Sequence, residues 1–151
     1  MKFDSVDAVL DFAISKEEDA AQFYTDLANR MDKPHMKEIF EQFALEEKSH
    51  KAKLQMVKEG KLLLAVKDKV LNLKIVDVMK DNRFQEGEFN YQDALMAAMN
   101  AEKSSYKLYN DLAEATDKPE LKETFQALAQ EEAKHKLRFE IEYDETIYQE
   151  N

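Results

Sequence analysis

The chain has 151 residues, of which 44% are hydrophobic and 36% charged, and its net charge is -10. This length and apolar content are enough for a single domain spanning 1–151, and the acidic charge argues against nucleic acid as a partner, because phosphate-backbone affinity depends on clustered Lys and Arg. The absence of cysteine excludes disulfides, thiolate catalysis, and zinc or iron–sulfur sites that need cysteine ligands. Any bound metal must therefore have oxygen and nitrogen ligands.

The first residues of the chain do not have the pattern of a signal peptide. Asp4 and Asp7 stand where a signal peptide would carry a basic region followed by an uninterrupted apolar stretch. No window approaches the about 20 consecutive apolar residues that a membrane-spanning helix needs. We therefore expect a soluble, cytoplasmic protein with no membrane partner.

Four long helices are predicted, because the chain contains only 2 Gly and 2 Pro and its apolar residues recur with helical periodicity. The predicted helices span 5–31, 34–59, 91–116 and 119–148. Each Asp-Lys-Pro triplet, at 32–34 and 117–119, suits a helix end followed by a proline-containing helix start. Paired in order, the helices form two hairpins, 5–59 and 91–148.

The connection between the second and third helices, residues 60–90, is predicted to be a long crossover. Gly60 ends the second helix, the apolar stretches 62–64 and 70–75 are candidate anchors, and a short helix is predicted around 76–80. About 30 residues can run the full length of a helix, as a crossover must when two hairpins pack with their middle helices parallel. The predicted fold class is therefore all-α, a four-helix bundle made from two helical hairpins.

An internal duplication relates the two hairpins. Shifting the sequence by 85 residues lays 17–50 over 102–135 without a gap, and 15 of these 34 positions are identical. The matched residues include Tyr24 with Tyr109 and both Asp-Lys-Pro triplets. The period is too long, and the copy number too low, for a solenoid. The two hairpins are therefore predicted to be copies of one unit.

Six polar residues interrupt the apolar stripes that would face the interior of such a bundle. They are Glu17, Glu47, His50, Glu102, Glu132 and His135. Glu102, for example, lies between Met99 and Tyr106 on the stripe of the third helix, so both neighbours are expected to face the interior as well. At 1.5 Å per residue all six lie at one level, about 23 Å from the hairpin turns. A single polar layer inside the bundle is predicted.

Four buried carboxylates need a positive partner, because burial is costly for each charge and the charges repel one another. Two divalent transition ions would compensate, since carboxylates can bridge a metal pair and imidazole disfavours magnesium and calcium. Two iron ions are expected, with manganese as the alternative. One Glu from each of two helices and a Glu-x-x-His from each of the other two is a known ligand set of di-iron and di-manganese bundles. By that template Glu47 and Glu132 bridge the ions, Glu17 with His50 completes one, and Glu102 with His135 completes the other.

The side chains near these six residues have more than one interpretation. Tyr24 and Tyr109 lie two turns beyond the glutamate of their own helix. In one interpretation their hydroxyls hydrogen-bond a ligand carboxylate or donate an electron. In the other they are ordinary core tyrosines with satisfied hydroxyls. Glu46 and Glu131 point about 100° away from the adjacent ligands, which favours positions at the surface or behind the ligands. His35 has no counterpart in the repeat and is expected to be an exposed turn residue.

With these motifs the chain resembles the ferritin-like superfamily and, within it, the rubrerythrin-like branch. The resemblance covers nearly the whole chain and rests on two Glu-x6-Tyr helices, on two Glu-Glu-x-x-His motifs at 46–50 and 131–135, and on the crossover. It implies a non-haem di-iron centre that reacts with hydrogen peroxide or dioxygen. Two departures stand out. The chain lacks the cysteines of the rubredoxin domain that rubrerythrins proper carry, so an external electron donor protein is expected, and Ser105 stands where they hold an extra ligand Glu.

The leading hypothesis is an enzyme, a di-iron oxidoreductase of the peroxidase or ferroxidase type that an external reductant resets. The alternative is iron storage or handling of the ferritin type, in which the same site loads iron into a larger shell. A third interpretation is a structural bundle that binds metal as a staple and has no turnover. We expect a homo-oligomer, most simply a dimer.

Overall fold

The computed structural model describes residues 2–3, 5–60, 71–72 and 89–150. These residues form four long helices and one pair of two-residue strands. In chain order the elements are β1 (Lys2–Phe3), α1 (Val6–Asn29), α2 (Pro34–Lys58), β2 (Leu71–Asn72), α3 (Tyr91–Ala115) and α4 (Pro119–Glu150). Each helix begins and ends within two residues of its predicted bounds. The predicted all-α, ferritin-like four-helix architecture is confirmed.

Local sequence signals set the ends of the helices. Ser5 caps α1 by accepting a hydrogen bond from a first-turn backbone N–H at 3.1 Å, and Asn90 forms a reciprocal capping box with Asp93 at the start of α3. A proline from an Asp-Lys-Pro triplet is the first residue of both α2 and α4. Gly60 follows the end of α2 with φ 84°, a left-handed conformation that glycine adopts without strain.

The helices pack as two hairpins, α1 along α2 and α3 along α4. The N-terminal ends of α1 and α4 share one apolar cluster with the C-terminal ends of α2 and α3, and the opposite ends of all four helices share a second. Helices α2 and α3 therefore run parallel, as predicted. The end of α2 and the start of α3 therefore lie at opposite ends of the bundle.

The second apolar cluster is aromatic at its centre. The rings of Tyr24, Phe40, Phe43 and Phe139 are all fully buried, and the Phe43 and Phe139 centroids lie only 4.1 Å apart. Tyr24 stacks on Phe139 at 5.7 Å, and Phe40 stacks on it at 5.9 Å. These rings form an apolar wall on one side of the predicted polar layer.

One expectation about the third helix was wrong. Tyr106 does not face the interior, because its exposed fraction is 37%, and Met99 is only partly buried. Tyr106 lies four residues from Glu102, which turns it about 40° away from the direction of the carboxylate, whereas the seven-residue spacing of Tyr109 turns it by only about 20°. Tyr109 is accordingly buried.

Most of the connection at 60–90 lies outside the described residues, including the predicted anchor 62–64 and the short helix predicted around 76–80. The structure describes only residues 71–72 of the second predicted anchor, 70–75. These two residues form β2, which pairs antiparallel with β1 beside the start of α1. Among the described helices, none combines the length and apolar character that crossing a bilayer requires.

Candidate metal centre

The six residues predicted to form a polar layer lie together inside the bundle. Glu17 and Glu102 come from the middle of α1 and α3, and the two Glu-x-x-His pairs come from α2 and α4. Because residues three apart project from the same side of a helix, each pair presents both its groups to the interior. All six side chains are buried, with exposed fractions of 8% or less.

These side chains form two overlapping clusters, in each of which the candidate ligand atoms lie within 4.8 Å of one another. The first cluster is Glu17, Glu47, His50 and Glu132, and the second is Glu47, Glu102, Glu132 and His135. Glu47 and Glu132 belong to both clusters. Two cations that share two bridging carboxylates would need such a pattern. The ligand roles of the six residues stay a prediction.

Both imidazoles turn Nδ1 toward the carboxylates. His50 Nδ1 lies 2.9 Å from Glu132 Oε1 and 3.6 Å from Glu17 Oε2. His135 Nδ1 lies 3.2 Å from Glu47 Oε1 and 3.4 Å from Glu102 Oε1. The two rings are nearly parallel, with centroids 5.6 Å apart and 4° between their planes. Nδ1 is thus the atom that each histidine offers to the layer.

Five buried polar atoms in this layer have no hydrogen-bond partner. They are Glu17 Oε2, Glu47 Oε2, His50 Nδ1, Glu102 Oε2 and Glu132 Oε1. His50 Nδ1 and Glu132 Oε1 lie close together, but their orientation does not make a hydrogen bond. Buried polar atoms in native proteins nearly always have partners, so a group of unpartnered atoms is the pattern expected of a ligand-binding site. Oxygen and imidazole donors fit divalent transition ions.

Burial and crowding change the protonation of the layer. Burial, and after it the charge of a neighbouring glutamate, raises the pKa values of Glu17, Glu102 and Glu132 well above the ordinary value of 4.5. Burial alone would lower the pKa values of His50 and His135, but the facing carboxylates outweigh it and raise both. Without a cation, the layer therefore retains protons.

Each buried tyrosine reaches the glutamate of the other hairpin. Tyr24 of α1 donates a hydrogen bond to Glu102 Oε1 of α3, and Tyr109 of α3 donates to Glu17 Oε1 of α1. Burial, together with the nearby carboxylates, raises the pKa of both hydroxyls well above 10, so both stay protonated and act as donors. Each bond occupies Oε1 and leaves Oε2 without a partner. The tyrosines thereby fix which carboxylate oxygen is available to a cation.

Sequence reasoning missed two residues that contact this layer from outside. The Phe43 ring, expected to be ordinary core, meets the His135 ring edge-on with centroids 4.9 Å apart. Arg138 stacks its guanidinium over Phe43 and also pairs with Glu46, which itself lies 3.3 Å from His135 Nε2. The available signal was the three-residue spacing from His135 to Arg138, which puts both on one side of α4. His35 is exposed, as expected, and lies outside the layer.

Comparisons with known proteins agree with this architecture. The family model for rubrerythrin matches residues 8–143, which is most of the chain. Among solved structures, a hypothetical protein from Pyrococcus furiosus superposes with a TM-score of 0.65 at 25% sequence identity, over 93% of this chain and 89% of that one. No curated protein matched. From its four-helix fold, its buried Glu and His clusters and the extent of the family match, the chain belongs to the rubrerythrin family.

Proposed function

We propose that the chain is a di-iron oxidoreductase that reacts with hydrogen peroxide or dioxygen through a metal pair held by the buried layer. The observation that carries the proposal is the set of five unpartnered buried atoms in two clusters that share Glu47 and Glu132. Four ionised carboxylates carry four negative charges, and two divalent cations carry four positive ones. Binding would therefore leave the layer neutral. Membership of the rubrerythrin family favours iron over manganese.

When bound, an iron pair supplies two electrons, one from each ion, to the oxidant. Reduction of one hydrogen peroxide to two waters consumes those two electrons and two protons. The chain's own residues would hold the pair: the carboxylates of Glu47 and Glu132 would serve both positions, and Nδ1 of each histidine would serve one. The Tyr24 and Tyr109 hydroxyls hold Oε1 of the remaining two glutamates. The aromatic wall around Phe139 keeps water out on one side.

The electrons that reset the site must come from a donor outside residues 1–151. The chain has no cysteine, so it has neither a thiolate iron site nor a redox disulfide of its own. An external electron donor protein is therefore part of the proposal. The oligomeric state is a separate proposal, a dimer, which light scattering on the purified protein would measure.

The test is an anaerobic titration of the metal-free protein with ferrous iron, followed by separate additions of dioxygen and hydrogen peroxide. We expect two equivalents of iron per chain and one peroxide consumed per pair of ferrous ions. Glu47→Ala should abolish binding at both positions, because that residue belongs to both clusters. Glu17→Ala should leave one position filled. Glu41→Ala, an exposed glutamate of the same helix as Glu47, is the matched control and should bind two equivalents.

Each result has a distinct meaning. A stoichiometry of zero or one would remove the di-iron proposal. Two equivalents that neither oxidant oxidises would indicate a metal staple without turnover. Iron uptake far beyond two equivalents, in a large assembly by light scattering, would indicate storage. Oxidation of the bound pair, followed by re-reduction with an added electron donor, would support the oxidoreductase.

A further inference from the structure

The two halves of the layer differ on the side of each imidazole that faces away from the carboxylates. His135 Nε2 lies 3.3 Å from Glu46 Oε2, so a carboxylate from the opposite hairpin stands behind this ring. The same Glu46 oxygen accepts a hydrogen bond from Arg138 at 3.4 Å. The guanidinium of Arg138 in turn lies 4.5 Å from the centroid of Phe43, whose edge meets His135. Glu46 therefore stands at the outer nitrogen of His135, Nε2, and Phe43 packs against the His135 ring.

The duplication supplies an internal comparison for this arrangement. Shifting by 85 residues pairs Arg138 with Lys53 and Phe43 with Leu128, so the positions equivalent to this guanidinium and this aromatic ring in the other half of the layer are a lysine and a leucine. Glu131 corresponds to Glu46. It lies within 4.8 Å of a ring nitrogen of both His50 and His135, and it pairs with Lys134 of its own helix at 3.8 Å. Glu131 is thus paired within one helix, whereas Glu46 is paired across the two hairpins.

A carboxylate behind a metal-binding imidazole does two things. It accepts the proton of the outer nitrogen, which fixes the tautomer with a free lone pair on the inner nitrogen, and it makes that lone pair more basic. It also holds the ring in the binding orientation before the metal arrives. His135 has its Nδ1 toward Glu47 and Glu102 and its Nε2 toward Glu46, so the ring already has the orientation that metal binding requires.

We propose that Glu46, held by Arg138, is a positioning residue for His135 and makes the Glu102–His135 metal position bind more tightly than the Glu17–His50 position. This inference rests on the proposed function, because it assigns different properties to the two positions of the same pair. The metals then bind in sequence, the His135 position first. Removing a carboxylate behind a metal-bound histidine typically costs about 10–100-fold in metal affinity.

The test uses cobalt(II) as the probe, titrated anaerobically into the metal-free protein. Calorimetry gives the affinity of each step. Proton NMR resolves the N–H proton of each cobalt-bound imidazole, because high-spin cobalt shifts it away from the rest of the spectrum. In the unaltered protein we expect two steps that differ at least about 10-fold in affinity. The first step should produce a slowly exchanging N–H signal, since Glu46 Oε2 lies 3.3 Å from His135 Nε2 and would accept its proton.

Glu46→Gln should weaken binding at the Glu102–His135 position about 10–100-fold, so that the two steps merge or the Glu17–His50 position fills first. It should also speed the exchange of the first N–H signal with water, which a merely structural residue would not do. The matched control is Glu131→Gln, the equivalent change in the other repeat, which should leave the first step intact. Arg138→Gln keeps Glu46 but frees it, and should shift the first step in the same direction by a smaller factor.

The outcomes separate the two proposals. No cobalt bound to the unaltered protein would overturn the proposed function and this inference together. Two equivalents bound with equal affinity would overturn only the inference. The inference alone would also be overturned if Glu46→Gln and Arg138→Gln both leave the first step and its N–H exchange unchanged. A loss of first-step affinity in Glu46→Gln and Arg138→Gln, absent from Glu131→Gln, would support it.

Discussion

Replacing Glu102 by glutamine should stabilise the metal-free fold and reduce the further stabilisation that metal adds. In the metal-free protein Glu102 is buried, accepts a hydrogen bond from Tyr24 on Oε1 and has no partner on Oε2. Glutamine keeps the shape and the acceptor for Tyr24, cannot ionise, and adds a donor toward the other carboxylates. An unpartnered buried acceptor costs about 1–3 kcal/mol. The free energy of unfolding of the metal-free protein should therefore rise by about this amount at pH 7.

The same substitution should weaken the stabilisation that bound metal provides. Free metal at 100 times its dissociation constant adds about 2.7 kcal/mol to the free energy of unfolding, and only about 0.4 kcal/mol remains at the same concentration if affinity falls 100-fold. Glu102→Gln should therefore reduce the increment that metal adds by about 2 kcal/mol, which offsets the gain of the metal-free protein.

The assay is urea unfolding at pH 7, in chelator and in excess divalent metal under anaerobic conditions. Glu123→Gln, which changes an exposed glutamate, is the control and should stay within about 0.5 kcal/mol of the unaltered protein in both conditions. If Glu102→Gln lowers stability equally with and without metal, the carboxylate is held by its own hydrogen bonds. The reasoning from unpartnered atoms would then be refuted.

Three further predictions concern stability. The pKa values of Glu17, Glu102 and Glu132 are raised in the folded metal-free protein, so their contribution to the free energy of unfolding is complete below pH 4.5 and is lost as pH rises through the folded values. Urea unfolding in chelator at a series of pH values should show this loss of stability. The double variant Glu17→Gln with Glu102→Gln should make stability depend less on pH. Tyr24→Phe should lower the unfolding free energy of the metal-free protein by about 1–3 kcal/mol, and an equal loss in a Glu102→Ala background would contradict the bond between them. Phe139→Ala should cost about 3–5 kcal/mol by thermal or urea unfolding, since it empties the centre of the aromatic cluster, and a loss below about 1 kcal/mol would contradict that packing.

The helix bounds and the level of the polar layer could be predicted because both depend on local sequence. The Asp-Lys-Pro triplets, Gly60 and the helix-capping residues act within one turn of the chain, and depth along a helix follows from counting residues at a fixed rise. The duplication strengthened the prediction, since two copies with matching spacing place their glutamates and histidines at the same depth.

The contacts between hairpins could not be predicted in the same way. Counting along α1 places Tyr24 on the same side as Glu17, yet its hydroxyl bonds Glu102 of the other hairpin. Glu46 likewise meets His135 and not the histidine of its own helix. Such pairings depend on the distance and rotation between helices, which arise from packing of the whole core. Tyr106 shows the same limit, because a 40° difference in direction decides whether a residue faces the core or the solvent.

The exchange of tyrosine hydrogen bonds between repeats has a consequence for the origin of the protein. One hairpin alone carries one Glu-x6-Tyr helix and one Glu-x-x-His helix, which amounts to half of the buried layer. Its tyrosine would have no glutamate of another hairpin to bond, and its two glutamates and one histidine would make only half of the six-residue layer. A single ancestral hairpin would thus have been complete only when paired with another copy of itself. Gene fusion would then have joined two such subunits into one chain, after which each half was free to diverge, as Arg138 and Lys53 have done.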